Sequence, residues 1–313
     1  MRRLLALLAA LLLAGCGDVS ERNPSQVSAL EGPPEQAASG EANRPMRYLR
    51  SLYYDPELVP GGIASPERYT VEGELAGGLV PHHLLASDMI AGFFRMVGEQ
   101  PDQFNRVLLL SPSHYPERCS SDLVIAAAGW DTPYGRVEPD LESAAHLLEN
   151  PALGVLDDPD AVEYDHGVAG LLPFVRRYLP EAKLTACLLS NRLSQERLSL
   201  FWESVEALCR EGDVLLVVSA DRSHYLTPGE SAERDRETAC AIERCEIGRV
   251  LGFTDSNVDS PQSLSTLLYL VQEQELTMVR LGHSSSPEKL PHADANPIFE
   301  EGITTYFVYA AIR

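Results

Sequence analysis

Short runs of apolar residues alternate with helical patterns along most of this chain, and that alternation restricts the fold more than any other feature. The runs are too uniformly apolar to have a solvent-facing side, which is typical of strands in sheets covered on both faces. The predicted strands are 76–80, 106–110, 122–128, 183–189, 213–219, 276–282 and 304–312, and the predicted helices are 87–100, 194–212, 229–253 and 260–275. The pattern predicts a single α/β domain with a central mixed or mostly parallel sheet and helices on both faces.

The N-terminus has the pattern of a bacterial lipoprotein signal. Two arginines precede an apolar run, residues 4–13, that is about half the length a membrane span needs. Small residues then lead to Cys16, whose thiol is the position that a lipoprotein modifies. We therefore predict a signal peptide over residues 1–15, lipidation of Cys16, and a location in the cell envelope outside the cytoplasm. The alternative is an ordinary signal peptide with a chance cysteine.

The segment after the lipid site predicts a tether. Residues 17–43 are rich in Gly, Pro, Ser, Glu and Ala and contain no aromatic residue. Such a composition buries too little apolar surface to offset the entropy of ordering the chain. We assign residues 16–43 to the lipidated cysteine and a disordered tether, and residues 44–313 to the α/β domain.

The charge balance excludes one class of partner. The chain has 46 acidic residues against 25 Lys and Arg, a formal net charge of −21. Such an excess opposes binding to nucleic acid and to anionic membrane surfaces. We therefore expect membrane contact through the lipid anchor only.

Histidines and an aspartate follow the predicted strands. In α/β sheets, ligands bind beyond the carboxyl ends of the strands. Imidazole and carboxylate groups there can ligate a transition metal or transfer protons. Asp221 follows the strand 213–219, and six of the eight histidines lie at or near predicted element ends: His82, His83, His114, His166, His224 and His283. The sequence thus predicts a histidine-rich pocket at one edge of the sheet.

Six segments occur in an order that resembles the Memo family, whose bacterial members are named AmmeMemoRadiSam system protein B. They are "NRPMRYLRSLYYDPEL", "GGLVPHH", "LLLSPSH", "WDTPYGRVEPD", "YDHGVAGLLPF" and "VVSADRSHY". The resemblance covers residues 44–313 and implies a fold similar to class III extradiol dioxygenases. It also implies functional partners within the AmmeMemoRadiSam system.

The resemblance implies particular roles for the pocket residues. His82 and His114 align with two metal-ligating histidines, and Asp259 stands where the family often has a cysteine ligand. A two-His-one-carboxylate set would hold Fe(II) or another divalent transition metal. His166 or His224 would act as general base, with Asp221 holding its tautomer. The chain departs from the family at Ala169, which replaces a glutamate, and at His83-Leu84, which replaces Ala-Gly.

Two functions compete at this stage. The first is a metal-dependent redox or dioxygenase-like enzyme acting on a small molecule. The second is a non-catalytic lipoprotein that uses the pocket to bind a small ligand, a peptide or a protein partner. A Ser–His hydrolase is less well supported because the chain has no Gly-x-Ser-x-Gly elbow.

Overall fold

Twelve strands account for every predicted strand and add five short ones. The computed structural model describes residues 46–100, 104–210, 212–290 and 302–313, so the predictions for residues 1–43 lie outside the part it covers. In that part the strands are β1 (Tyr48–Arg50), β2 (Leu75–Val80), β3 (Arg106–Pro112), β4 (Leu123–Ala126), β5 (Gly129–Thr132), β6 (Gly135–Val137), β7 (Leu156–Asp157), β8 (Lys183–Leu189), β9 (Val214–Ser219), β10 (Arg222–Leu226), β11 (Thr277–Ser285) and β12 (Ile303–Ile312).

The large sheet is mixed, with a parallel centre. Its order is β10-β12-β2-β9-β3-β8-β4-β7, and β11 also pairs with β12. The four central strands β2, β9, β3 and β8 run parallel, whereas β12 and β4 pair with them antiparallel. A second, small sheet contains β1, β5 and β6. The predicted mixed or mostly parallel sheet is confirmed.

The helices also follow the predicted pattern, with one correction. Those of the described ranges are α1 (Leu58–Ala64), α2 (Ser87–Gly98), α3 (Leu141–Glu149), α4 (Pro159–Glu163), α5 (His166–Ala169), α6 (Leu172–Tyr178), α7 (Gln195–Cys209), α8 (Pro228–Glu243), α9 (Ile247–Val250), α10 (Pro261–Glu273) and α11 (Ser286–Lys289). The single helix predicted over 229–253 is wrong, because Cys245 adopts a left-handed φ of 52° and separates α8 from α9.

No helix of the described ranges combines the length and the apolar character that a membrane crossing requires.

Two hydrophobic cores explain why the central strands are uniformly apolar. Side chains alternate across a strand, so β3 sends Val107 and Leu109 into one core and Leu108 and Leu110 into the other. Helices α2 and α6 contribute to the first core, and α7 and α10 contribute to the second. The sheet is therefore covered on both faces, as predicted. Residues 45–313 form one compact unit.

Strand direction brings the candidate residues together. Because β2, β9 and β3 are parallel neighbours, their carboxyl ends meet at the same edge of the sheet. Val80 at the end of β2 is in register with Ser219 at the end of β9. The chain segments that follow these strands consequently lie side by side.

Candidate metal site

Three of the four central strands are each followed by one polar residue at the same distance along the chain. His82, His114 and Asp221 each lie two residues beyond the last residue of β2, β3 and β9, respectively. His166 is the first residue of α5, and Asp259 lies just before α10. The structure brings these five residues together at the carboxyl edge of the sheet.

His82 is the buried centre of the cluster. Its Nδ1 lies 3.1 Å from Ser219 Oγ, and that hydroxyl donates its proton to the Gly167 carbonyl at 2.6 Å. A serine hydroxyl has one proton, so Ser219 accepts from His82, and Nδ1 carries the imidazole hydrogen. His82 Nε2 therefore presents its lone pair. Burial lowers the pKa of His82 well below its ordinary value, and the neighbouring histidines lower it further.

Two carboxylates face that lone pair. Asp221 Oδ2 and Asp259 Oδ2 lie 3.5 Å and 3.4 Å from His82 Nε2. The two loops are tied together, because the Asp221 amide donates to Asp259 Oδ2 and the Asp259 amide donates to the Asp221 carbonyl. Asp259 Oδ1 is buried and has no hydrogen-bond partner among the residues that the structure describes. Burial, reinforced by Asp259, raises the pKa of Asp221 to about 7.

His114 is held by an aspartate that the sequence reasoning missed. Its backbone amide donates to Asp165 Oδ2 at 2.9 Å, and its Nδ1 lies 2.8 Å from Asp165 Oδ1. Asp165 is fully buried and also accepts from the Gly167 amide. This pairing places the hydrogen on Nδ1 and leaves His114 Nε2 free to bind a metal. Burial opposes protonation of His114, but Asp165 outweighs it, so the pKa is raised. The position of Asp165 directly before His166 in the sequence was the signal that could have identified it.

His166 packs against His114. Their ring centroids are 3.8 Å apart, and the His82 ring centroid is 5.3 Å from that of His166. Burial and the charge of a protonated His114 lower the pKa of His166 to about 4. His166 is therefore neutral near pH 7 and can accept a proton.

His224 completes the cluster from β10. Its Nε2 lies 3.5 Å from Asp259 Oδ2, and its backbone amide donates to the Asp255 carbonyl. Burial would lower its pKa, but the hydrogen bond to Asp259 more than offsets this, and the pKa is raised. Within the described ranges the oxygens of Asp221 contact His82 and the His83 amide, and the predicted pairing of Asp221 with His224 or His166 is not among their contacts.

The described residues contain two groups whose ligand atoms lie within 4.8 Å of one another. One is His82, His114 and His166, and the other is His82, Asp221 and Asp259. His82 belongs to both, so the predicted metal set of His82, His114 and Asp259 is divided between them. His283, also expected near the pocket, lies within β11 and binds Asp235 instead.

The second group has the spacing of a coordination sphere. Two ligand atoms that are each about 2.1 Å from one metal ion lie roughly 3.0–3.4 Å apart at tetrahedral or octahedral angles. His82 Nε2 is 3.4 and 3.5 Å from the two carboxylate oxygens. An imidazole lone pair and two carboxylates repel one another, and either a metal ion among them or a proton on Asp221 relieves that repulsion. The residues present therefore fit a metal ion.

Fold and site together define an α/β protein with a candidate metal centre at the carboxyl edge of its sheet. A family model described as Memo-like protein matches residues 65–274, more than half of the chain. The chain belongs to this family. The matched segment contains His82, His114, His166, Asp221, His224 and Asp259.

Three MEMO1 family proteins illustrate how similar the relatives are. A MEMO1 family protein of Aquifex aeolicus is 30% identical over 139 residues, which span 44% of this chain and 51% of that protein. One from Caldivirga maquilingensis is 27% identical over 53% of this chain and 58% of its own length. One from Thermus thermophilus is 24% identical over 77% of both chains. The chain thus spans little more than half of the first two relatives.

An uncharacterized protein of Escherichia coli K12 aligns with 74% of this chain and 98% of its own, with a TM-score of 0.48 and 14% sequence identity.

Proposed function

We propose that the histidine–aspartate cluster binds a divalent transition metal, with Fe(II) as the first candidate. The observation that carries this proposal is the His82 Nε2 lone pair, which faces two buried carboxylates beside the unpartnered Asp259 Oδ1. Oxygen donors favour harder metals over copper. The oxygen donors of Asp221 and Asp259 therefore support Fe(II), whereas a cysteine ligand at the position of Asp259 would favour a softer ion.

His82, which belongs to both ligand groups, would hold the ion together with His114 from the first group and Asp259 from the second, with Asp221 alongside them. Asp165 fixes the His114 ring, and Ser219 fixes the His82 ring, so both Nε2 atoms are prepared as ligands. When bound by two imidazoles and one carboxylate, Fe(II) supplies redox chemistry with open coordination positions. The reaction we propose is redox or dioxygenase-like chemistry on a small molecule at the envelope.

Two histidines are placed to move protons beside that position. His166 is the candidate general base because it is neutral near pH 7 and partly exposed. His224 is the candidate proton donor, because the hydrogen bond to Asp259 raises its pKa in spite of burial. Asp165 orients His114, a positioning role that we had not predicted.

Iron binding by single variants of the anaerobically purified protein tests the metal proposal. His82→Ala and His114→Ala should each remove measurable Fe(II), because each deletes a ligand. His224→Ala should lower the affinity roughly ten- to a hundredfold or less, as adjacent residues do. If Asp259→Ala also removes binding, the two-His-one-carboxylate set is supported. His146→Ala, an exposed histidine on α3, is the control.

The alternative is a non-catalytic binding protein. The departures at Ala169 and His83-Leu84 favour it, since they alter the pocket relative to the family pattern. If His82→Ala and His114→Ala retain Fe(II) as well as the parent does, the metal proposal fails. The pocket would then be a binding site for a small ligand, a peptide or a partner.

A further inference from the structure

Two consecutive histidines occupy opposite hydrogen-bond environments. His82 is buried and donates from Nδ1 to Ser219, which leaves its Nε2 lone pair facing the carboxylates. His83 is exposed, and its Nδ1 lies 2.6 Å from the Tyr306 hydroxyl. The family pattern has alanine at the position of His83, so the metal proposal gives this side chain no role.

The direction of the hydrogen bonds around Tyr306 fixes the tautomer of His83. Tyr306 is fully buried, and its hydroxyl lies 2.6 Å from His83 Nδ1. A phenol hydroxyl is a stronger proton donor than a neutral imidazole N–H, and a buried tyrosine hydroxyl needs an acceptor for its proton. In this short contact Tyr306 therefore donates to the Nδ1 lone pair. His83 therefore carries its hydrogen on Nε2.

This arrangement leaves His83 with a fixed N–H donor on an exposed ring, one residue after the proposed ligand His82. Its backbone amide contacts Asp221 Oδ1 at 3.5 Å, so its position is tied to the carboxylate group. Tyr306 is fully buried and cannot move away from Nδ1 without leaving the core. With Nδ1 occupied and Nε2 protonated, the neutral imidazole has no lone pair for a metal. His83 is accordingly in neither of the two ligand groups found among the described residues.

We propose that His83 determines ligand specificity by donating its Nε2 hydrogen to an oxygen of a carboxylate-bearing small molecule held at the metal site. The inference rests on the proposed metal binding. A carboxylate fits because one of its oxygens can approach the cation while the other accepts from the imidazole. In this proposal His82 binds the metal ion and the adjacent His83 binds the ligand.

Acetate binding to the Co(II)-loaded protein, followed by the visible absorption of the metal, tests the inference. His83→Ala should weaken acetate binding about tenfold, the usual effect of losing a hydrogen bond to a charged group. His83→Gln keeps an N–H donor and should restore most of the affinity. Tyr306→Phe preserves the buried ring and should weaken binding severalfold by releasing the tautomer. His146→Ala should match the parent.

Two results would overturn the inference and are distinguishable. If Co(II) is bound but the parent and His83→Ala take up acetate equally, the ligand role of His83 fails and the metal proposal stands. If the parent takes up no Co(II), the metal proposal fails and the ligand role falls with it. Nitrogen-15 NMR of the histidine rings gives a separate reading, since an Nδ1–H tautomer at His83 would contradict the hydrogen-bond direction.

Discussion

At the scale of one residue, the buried charge of Asp221 lowers the stability of the metal-free protein at a position that suits metal binding. Its carboxyl is buried beside a second carboxylate, and its pKa is raised to about 7 from an ordinary value of 3.8. A raised carboxyl pKa means that the charged form is less stable in the folded state than in the unfolded chain. Removing the charge of Asp221 should therefore raise the unfolding free energy of the metal-free protein.

We expect Asp221→Asn to stabilise the metal-free protein and to weaken metal binding. Asparagine keeps the oxygen that accepts from the His82 amide and removes the charge opposite Asp259. The gain in unfolding free energy should be on the order of 2 kcal/mol above pH 7. It should shrink as the pH falls from 7 towards 3.8, because the folded carboxyl then takes up a proton and the penalty disappears.

Thermal unfolding in the presence of a chelator, measured from pH 8 to pH 4, provides the test. Asp255→Asn, an exposed aspartate of the segment that carries Asp259, is the control and should leave the unfolding temperature unchanged. A destabilised Asp221→Asn at pH 8 would show that the carboxylate makes a net favourable contribution without metal.

At the scale of elements, one carboxylate joins α8 to three strands. Asp235 Oδ1 accepts from Ser223 Oγ on β10 at 2.8 Å and from Thr305 Oγ1 on β12 at 2.7 Å, and its Oδ2 lies 2.9 Å from His283 Nε2 on β11. Ser223 has a left-handed φ of 48° and directly precedes His224. The bond from Ser223 therefore holds the irregular part of β10 that carries a site residue.

Ser223→Ala should weaken metal binding roughly tenfold, the lower end of the effect of residues that orient ligands. Thr305→Val removes the other hydroxyl on the same carboxylate oxygen but leaves β10 bonded to Asp235, so its metal affinity should match the parent. Zn(II) titration of both variants, with amide hydrogen exchange of residues 222–226, measures the difference. Equal losses in the two variants would mean that Asp235 only stabilises the sheet.

At the scale of the whole molecule, the candidate site and the predicted lipid anchor lie in different parts of the chain. The described residues hold both cores and the whole candidate site. The structure describes none of residues 1–43. Anchoring at the cell envelope is therefore a proposal that rests on the sequence of that segment alone.

Lipidation can be tested without disturbing the site. Radiolabelled palmitate should enter the parent protein in bacterial cells and should not enter Cys16→Ala, because the thiol is the modified group. The variant should keep the unfolding temperature of the parent domain. Equal labelling of both proteins would refute lipidation at Cys16.

The sequence by itself determined the layers of the fold and the edge that carries the site. Apolar runs such as 106–110 require burial on both faces, and that requirement makes strand ends the places where polar groups such as His82, His114 and Asp221 can face a pocket. Five short strands, β10 among them, escaped prediction because their residues are few and partly polar. Their pairing depends on neighbours that local pattern does not reveal.

Only the tertiary structure decided which groups face one another. His82 meets Ser219 across 137 positions of sequence, and His83 meets Tyr306 across 223. Those partners set the tautomers of two adjacent histidines in opposite directions, and Asp165 sets that of His114. A side chain's identity fixes what it can donate or accept, but the packing of distant elements fixes what lies within hydrogen-bond distance, and the chemistry of the site depends on that distance.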